Sequence, residues 1–243
     1  EATRTGTPVT VSGAGTGIVG GRVPFGGIVV ATDRLNRIGG IDREASGGGR
    51  GRAQAGVILA DYQKAVSAKG LFYPPDPTEW SCFLGGTVAT NASGARTFKY
   101  GPTRTYIHGL QIALPTGELL KLKRGEIRAS EQGLISIPLP NDRTLIALLP
   151  TYHMPQTRKH ASGYFVTPSM DAIDLFIGSE GTLGVITEVE TDLLDQPQGL
   201  LSGVVFFATE TNLLAFVAEA RSRSLATREA GRPGVDARAL EYF

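Results

Sequence analysis

Short apolar runs separated by glycine-rich loops recur through the first half of the chain. Residues 8–11 and 28–31 are rich in valine and isoleucine without polar alternation, which predicts two short buried strands. Residues 41–57 predict a strand, an exposed glycine loop and a second strand. Residues 105–114 and 118–122 flank a Pro-Thr-Gly turn and predict a β-hairpin.

Helical periodicity is clearest over residues 59–68, where Leu59, Tyr62, Ala65 and Val66 share one face and Gly70 follows as a stop signal. Residues 170–176 predict a short amphipathic helix, and residues 185–193 alternate as a half-exposed strand.

Two stretches lack a regular pattern. Residues 73–80 hold three prolines, which force the residues before them into extended conformations and predict irregular structure. Residues 124–160 are low in periodicity, and we expect an excursion or a lid there.

Pro197 and Gly199 mark a joint. After it, residues 203–207 predict a strand and residues 212–224 a helix with Leu213, Phe216, Val217 and Ala220 directed inward. We therefore expect an α+β protein divided into residues 1–195 and a second, α+β domain that begins over residues 196–243. The chain starts without Met and almost at once on a strand, so we expect it to lack an N-terminal part of the first domain and the rest of the second.

Composition removes several classes of function. The net charge is +1, so the composition does not indicate a basic surface for binding nucleic acid or anionic lipid. No apolar run reaches the roughly 20 residues of a membrane span. The single cysteine, Cys82, excludes an internal disulfide, and the three widely spaced histidines predict no metal site. The basic cluster at 121–125 is typical of a solvated strand face. We expect a cytoplasmic location, with peripheral membrane association as an open alternative.

A glycine loop after the first strand carries the first chemical signal. Residues 12–21 (SGAGTGIVGG) contain G-x-G-x-x-G ending at Gly20, and Asp33 closes the next apolar run, as in a Rossmann dinucleotide fold. However, only seven residues, including Pro24 and three glycines, separate Gly20 from the strand at Ile28, so the required helix cannot form. The loop must turn back into a neighbouring strand, where its N–H groups can converge on an anion. A glycine-rich hairpin without a ligand is the alternative.

Three later segments share the character of this loop. Residues 74–86, 87–101 and 178–187 combine glycines with small hydroxyl residues and apolar neighbours. Four such segments, separated by strands, favour a long ligand threaded between backbone loops, and a dinucleotide fits that description.

The amino-acid sequences of these segments resemble those of a known family. The stretches GAGTG, YPPDPT, LGGTVATNASG, KYG and DLFIGSEGTLGVITEV, in this order, are similar to the FAD-binding domain of the vanillyl-alcohol-oxidase-like (PCMH-type) superfamily. The most similar branch holds D-lactate dehydrogenase, the flavin subunit of glycolate oxidase and D-2-hydroxyglutarate dehydrogenase. The resemblance covers residues 8–195 and implies a two-part domain, a small sheet with parallel strands plus a larger antiparallel sheet with helices. The remaining residues resemble the opening of the family's cap domain.

The resemblance also implies which residues bind FAD. The pyrophosphate would lie against Ser12, Gly13, Ala14, Gly15, Thr16, Gly17 and Ile18. The flavin would pass beside Pro75, Asp76, Pro77, Thr78 and Ser81, with Gly85 and Gly86 in the same block. The ribitol and phosphates would follow Thr90, Asn91, Ala92, Ser93 and Gly94. The adenine would lie near Glu180, Gly181, Gly184, Val185 and Ile186.

Members with covalently attached flavin commonly place a histidine in the first loop, where this chain has Thr16. We therefore expect non-covalent FAD, with attachment through Cys82 or His108 as the alternative.

The implied activity is that of an FAD-dependent dehydrogenase. A small D-2-hydroxy acid, such as D-lactate or glycolate, would give a hydride from its Cα to the flavin, and a quinone, cytochrome or iron–sulfur partner would accept the electrons. No catalytic residue is assigned; Arg104, Arg158 and Lys159 are candidates for a substrate carboxylate, and the alternative is that they are surface charges. Two other functions stay open: a flavin-dependent alkyl transferase similar to alkylglycerone-phosphate synthase, and a flavin-binding subunit of an electron-transfer complex.

Overall fold

The computed structural model describes residues 1–140 and 142–242. Its strands are β1 (Val9–Ser12), β2 (Ile28–Ala31), β3 (Ile38–Arg43), β4 (Gly49–Gln54), β5 (Leu71–Phe72), β6 (Ile107–Ala113), β7 (Leu119–Lys123), β8 (Leu134–Leu139), β9 (Arg143–Leu148) and β10 (Val185–Asp195). Its α-helices are α1 (Ala2–Thr5), α2 (Leu59–Ser67), α3 (Leu84–Ala89), α4 (Thr97–Tyr100) and α5 (Glu210–Ala230), and 3-10 turns span Thr103–Tyr106 and Ala172–Leu175.

Strands β1 and β2 form a small parallel sheet in which Val9 pairs with Ile28. The glycine loop therefore crosses over without a helix, and the pair is not a hairpin. Gly27 is required where the chain enters β2, because its φ is +82° and a Cβ would collide with the Pro8 carbonyl oxygen. The two predicted strands are confirmed, but the prediction that they are buried is wrong, since Val9 and Val29 are exposed.

The larger sheet is antiparallel in the order β3-β4-β10-β6-β7, and β5 pairs with the end of β10. Strand β10 lies at the centre because it pairs with β4 on one side and β6 on the other. Two sheets of these types bear out the α+β class, and the predicted hairpin of β6 and β7 is confirmed.

Helix α2 covers the larger sheet and forms the core with it. Leu59, Tyr62 and Val66 are buried on one face, as the periodicity predicts, and the helix ends before Gly70, whose φ is +68°. The Tyr62 hydroxyl lies 2.6 Å from the Thr191 hydroxyl on β10, so a buried hydrogen bond joins the helix to the central strand.

The region before β10 adds two details to the sequence-based expectations. Within the segment expected to be an excursion or a lid, β8 and β9 pair in antiparallel fashion, with Ile135 and Ile137 fully buried. The predicted helix over 170–176 is a short 3-10 turn instead, and the Asp171 side chain caps it by accepting from the Ile173 N–H at 3.3 Å.

The region after β10 is also different from the prediction. Residues 203–207 do not form a strand; they have no regular secondary structure, and Phe206 is 90% exposed. Helix α5 is confirmed and is longer than predicted, starting at a Thr209 cap that accepts from the Asn212 N–H at 3.3 Å. Its predicted inner face is half-buried except for Phe216, which is exposed.

Across residues 1–140 and 142–242, no helix combines the length and apolar character needed to cross a bilayer. The same residues contain no group of three histidine, cysteine or acidic side chains arranged to hold a metal ion.

Candidate functional site

A cleft of about 360 Å³ opens at the carboxyl ends of the parallel strands β1 and β2. Ligands of open α/β sheets bind at this position relative to the strands. Parts of all four glycine-rich segments border the cleft. Eight glycines line it, Gly13, Gly15, Gly17, Gly21, Gly85, Gly86, Gly181 and Gly184, together with five threonines, Thr16, Thr32, Thr78, Thr87 and Thr90.

The first loop presents bare backbone to the cleft. Gly15 has φ +81°, and a Cβ there would collide with the Arg22 guanidinium. Nothing lies within 4 Å of the Cβ position at Gly17. The space beside Gly17 is open, whereas the space beside Gly15 is taken by the Arg22 side chain, so a loop with bare backbone and a nearby cation suits a bulky anion.

Helix α3 packs against the end of β4 through a glycine. The Gly85 N–H donates to the Ala55 carbonyl at 2.7 Å, and a Cβ at Gly85 would lie 2.5 Å from the Ala55 Cβ. Any larger residue would push α3 away from the strand. Gly85 and Ala55 both line the cleft, so the close approach sets its shape.

The loop before β10 is fixed to α3 by its backbone. The Gly178 N–H donates to the Val88 carbonyl at 3.0 Å and the Glu180 N–H to the Ala89 carbonyl at 2.9 Å. Glu180 and Gly181 have φ +52° and +80°, and a Cβ at Gly181 would lie 3.2 Å from the Val11 side chain. The loop thus joins α3 to β1 across the cleft.

The structure brings two thirds of the sequence-predicted cofactor residues to this cleft. Those lining it are Gly13, Ala14, Gly15, Thr16, Gly17, Ile18, Pro77, Thr78, Gly85, Gly86, Thr90, Ala92, Glu180, Gly181, Gly184 and Ile186. Those outside its lining are Ser12, Pro75, Asp76, Ser81, Asn91, Ser93, Gly94 and Val185.

Some of the residues outside the lining have contacts that support the site. A Cβ at Gly94 would collide with the Asp76 carbonyl oxygen, so two of the predicted segments cross at a glycine. The Asp76 carboxylate pairs with Arg96 at 3.0 Å. The Asn91 side-chain oxygen accepts from the Arg104 N–H at 3.0 Å, with Asn91 at φ +45°. Gly94, Asp76 and Asn91 thus support the segments that line the cleft without lining it themselves.

Sequence reasoning missed eleven lining residues. They are Val11, Val19, Gly21, Arg22, Thr32, Ala55, Glu79, Cys82, Phe83, Thr87 and Ala89. A signal existed for some of them, because Thr32 and Ala55 directly follow β2 and β4 and Arg22 belongs to the same loop as the glycines. Arg22 stands out in this group because its side chain is positively charged.

Arg104 is held inside the fold instead of facing the cleft. Its guanidinium donates at 2.8 Å to the Asp174 carboxylate and also to the Ile177 carbonyl, and it stacks 4.1 Å from the Phe165 ring. Arg124 donates at 3.1 Å to the same carboxylate. Burial lowers the pKa of Arg104, and the Asp174 charge opposes that shift. Its guanidinium is thus committed to Asp174.

The other two predicted cations lie outside the lining of the cleft. Arg158 is exposed and donates at 2.8 Å to the Phe98 carbonyl, and Lys159 is exposed. His108 is also elsewhere, 2.6 Å from Arg50 and 3.6 Å from Asp192. Cys82 does line the cleft, where burial, with a smaller effect of the Glu79 charge, raises the pKa of its thiol to about 11.

The sequence match agrees with this geometry. Residues 1–123, just over half of the chain, match the family described as "FAD binding domain". The chain belongs to this family. FAD is its cofactor, and the glycine-lined cleft at the ends of β1 and β2 has the open backbone that a dinucleotide requires. The resemblance inferred from the motifs is therefore confirmed.

Curated relatives carry names of hydroxy-acid enzymes. D-lactate dehydrogenase of Anaerostipes hadrus is 35% identical over 211 residues, covering 86% of this chain and 36% of the relative. Glycolate oxidase subunit GlcD of Bacillus subtilis is 33% identical over 193 residues, covering 79% and 33%. D-2-hydroxyglutarate dehydrogenase of Xanthomonas citri is 33% identical over 194 residues, covering 78% and 32%. The chain spans about a third of the length of these relatives.

Among solved structures, an alkyldihydroxyacetonephosphate synthase superposes with a TM-score of 0.62 at 22% identity, covering 91% of this chain and 34% of that one. At this identity the likeness shows the shared fold.

Proposed function

We propose that this chain is the FAD-binding part of a dehydrogenase that oxidises a small D-2-hydroxy acid such as D-lactate or glycolate. The observation that carries the proposal is the cleft that segments 13–22, 77–92 and 180–186 line together in a member of an FAD-binding family. The names of the curated relatives support the substrate class. Residues 1–195 form the FAD-binding domain in this proposal, and residues 196–243 belong to a second, substrate-covering domain.

Each segment would hold one portion of a non-covalently bound cofactor. The loop 13–18 offers backbone N–H groups to the pyrophosphate, and Thr78 and Thr90 offer hydroxyls along the ribitol and flavin. Gly181 and Ile186 border the end assigned to the adenine. Pro77 and Phe83 are apolar walls that exclude water from the ring. Bound FAD supplies the hydride acceptor, and the chain's own residues position it.

The proposal is tested by the visible spectrum of the purified protein and by its response to substrates. We expect flavin absorbance that is released on denaturation, as non-covalent binding requires. D-lactate, glycolate and D-2-hydroxyglutarate are then added without oxygen to the longer dehydrogenase of which this chain is the proposed FAD-binding part, and the proposal requires that at least one bleach the flavin band. A flavin that stays oxidised with all three in that longer protein would contradict the substrate class while leaving FAD binding intact. The 243-residue chain alone is expected to hold FAD without oxidising them, because the second domain must cover the substrate.

The electron acceptor and the cellular location belong to the same proposal. A quinone, a cytochrome or an iron–sulfur partner would reoxidise the flavin of a cytoplasmic protein, peripheral to a membrane if the acceptor is a quinone. Steady-state oxidation of the hydroxy acid with each acceptor class in place of an artificial dye would test the electron acceptor. Cell fractionation would test the location.

A further inference from the structure

Arg22 is the cationic side chain at the cofactor cleft. Among the described residues of the lining, it alone is positively charged, whereas Glu79 and Glu180 are acidic. Its guanidinium covers the Cα of Gly15, in the space that any other residue type would fill with a side chain. The same group lies 3.4 Å from the Ser12 hydroxyl, to which it donates. Arg22 is thus already directed back onto the glycine loop.

The charges around the cleft indicate why a cation at Arg22 matters for a bound pyrophosphate. Each phosphate of the FAD pyrophosphate is negatively charged at neutral pH. The Glu180 carboxylate lies 3.1 Å from the Cβ position of Gly21, directly beside Arg22, so the loop has an acid at its edge. Without Arg22, a pyrophosphate on this loop would lie near the Glu180 carboxylate and have only neutral donors, the backbone N–H groups and the Thr16 hydroxyl. A guanidinium offers it paired donors in a planar fork.

We propose that Arg22 binds the FAD pyrophosphate and determines how tightly the chain holds the cofactor. The role rests on the assignment of loop 13–18 to the pyrophosphate. It requires the exposed guanidinium to move off Gly15 and close over the phosphates, while Ser12 keeps it near the loop. Neither composition nor the G-x-G-x-x-G pattern assigns this role, because Arg22 follows the last glycines of the loop.

The test measures FAD affinity of the 243-residue chain without substrate. The chain has one tryptophan, Trp80, close to the cleft-lining residues Thr78 and Glu79, so quenching of its fluorescence reports flavin binding. We expect R22Q to raise the Kd for FAD roughly tenfold, since a charge-assisted phosphate contact at an exposed residue is lost. The dependence of Kd on salt should weaken in the same variant. R22K should fall between, because lysine keeps the charge and loses the fork.

Two further measurements separate this role from general effects. The matched control is R34Q, which removes an exposed arginine outside the cleft and should bind FAD like the unmodified chain. The second measurement is competition against FAD by ADP and by adenosine. R22Q should lower the affinity for ADP, which carries a pyrophosphate, and leave the affinity for adenosine unchanged. Equal Kd values and equal salt dependence in R22Q and the unmodified chain would overturn the proposal. If none of the three hydroxy acids bleaches the flavin of the longer protein, the proposed function is contradicted and the role of Arg22 in FAD affinity still stands.

Discussion

At the scale of single residues, two buried tyrosines differ in the contacts of their hydroxyls. The Tyr62 hydroxyl is bonded to Thr191, whereas no described residue lies within hydrogen-bonding range of the Tyr73 hydroxyl. Tyr73→Phe removes an unsatisfied buried group, so the free energy of unfolding should stay constant or rise by about 1 kcal/mol. Tyr62→Phe should lower it by about 1 kcal/mol. Urea unfolding of both variants compares them directly, and a larger loss in Tyr73→Phe would contradict the expectation.

Two glycines of the cleft should be indispensable for the cofactor. Gly15→Val and Gly181→Val each place a β-branched side chain where φ is near +80°, and at Gly181 it also presses on Val11. We expect both variants to lose FAD, measured as flavin absorbance after purification. Lys121→Ala, on the exposed face of β7, is the control and should keep full occupancy. Full flavin content in either valine variant would show that the cofactor lies elsewhere.

The Cys82 thiol should be unreactive at neutral pH. Burial raises its pKa to about 11, so its thiolate fraction at pH 8 is about a hundredfold below that of a thiol with the ordinary pKa of about 9. Alkylation by iodoacetamide should therefore be slow in the folded protein and fast after unfolding. Since the raised pKa favours the protonated form, the thiol contributes stability below about pH 9 that is lost between pH 9 and 11.

Cys82→Ala serves as the control for that pH window. It should reduce the loss of stability between pH 9 and 11 compared with the unmodified chain, measured by thermal unfolding across the range. Rapid alkylation of native Cys82 at pH 8 would instead show that the thiol is neither buried nor raised in pKa.

The sequence predicts site residues well where backbone faces the ligand and less well where segments cross. Gly13 to Ile18 all line the cleft, because a run of glycines and small residues after a strand leaves its own backbone open. Asp76 and Gly94 do not, since they pack against each other, and that contact depends on how two distant segments cross. The position of Arg22 in the glycine loop is visible in the sequence, but the return of its side chain over Gly15 is a property of the folded loop that the local pattern does not indicate.

At the scale of elements, the 3-10 turn at Ala172–Leu175 holds the loop before β10 through one carboxylate. Asp174 is buried and pairs with both Arg104 and Arg124, and Arg104 in turn contacts the Ile177 carbonyl. Asp174→Asn leaves two partly buried guanidinium groups without their counter-charge. We expect a loss of about 3 kcal/mol in the free energy of unfolding, and weaker FAD binding because residues 178–184 lose their support.

Asp61→Asn is the matched control for this prediction. Asp61 is exposed on α2, so the same chemical change should alter the free energy of unfolding by less than about 0.5 kcal/mol. Chemical denaturation followed by circular dichroism compares the two. Equal stability of both variants would mean that the Arg104–Asp174–Arg124 cluster is not a support of the loop.

Helices and strands were predicted correctly where the element's own sequence shows its buried face. They were predicted poorly where strand formation depends on pairing with a distant segment. Helix α2 shows its buried face in its own sequence. Strand β8 carries apolar residues on both faces, so alternation does not separate buried Ile135 and Ile137 from exposed Leu134 and Pro138. Residues 203–207 have strong β-propensity, yet a strand also needs a neighbour, and no described segment pairs with them.

At the scale of the whole molecule, residues 197–208 connect the sheet-bearing part of the chain to α5 without regular structure. Leu200, Leu201 and Phe206 are exposed there, which makes the connection accessible to chymotrypsin. All cleft-lining residues precede it, the last being Ile186. A single cut should therefore leave FAD bound to the N-terminal fragment, as shown by flavin absorbance that follows this fragment in size-exclusion chromatography.

The two fragments should stay together only at low salt. Arg228 of α5 donates to the Phe98 carbonyl at 2.9 Å and pairs with Asp236 at 2.7 Å, and Asp236 also pairs with Lys99 at 2.5 Å. These partly exposed contacts weaken as salt screens the charges, so roughly 1 M salt should release α5 from the N-terminal fragment. Arg228→Gln should release it at low salt, whereas Arg223→Gln, whose partner Glu219 lies on the same helix, should not. If the N-terminal fragment lost its FAD on release of α5, residues after the cut would have to support the cofactor, and the proposed boundary after residue 195 would be wrong.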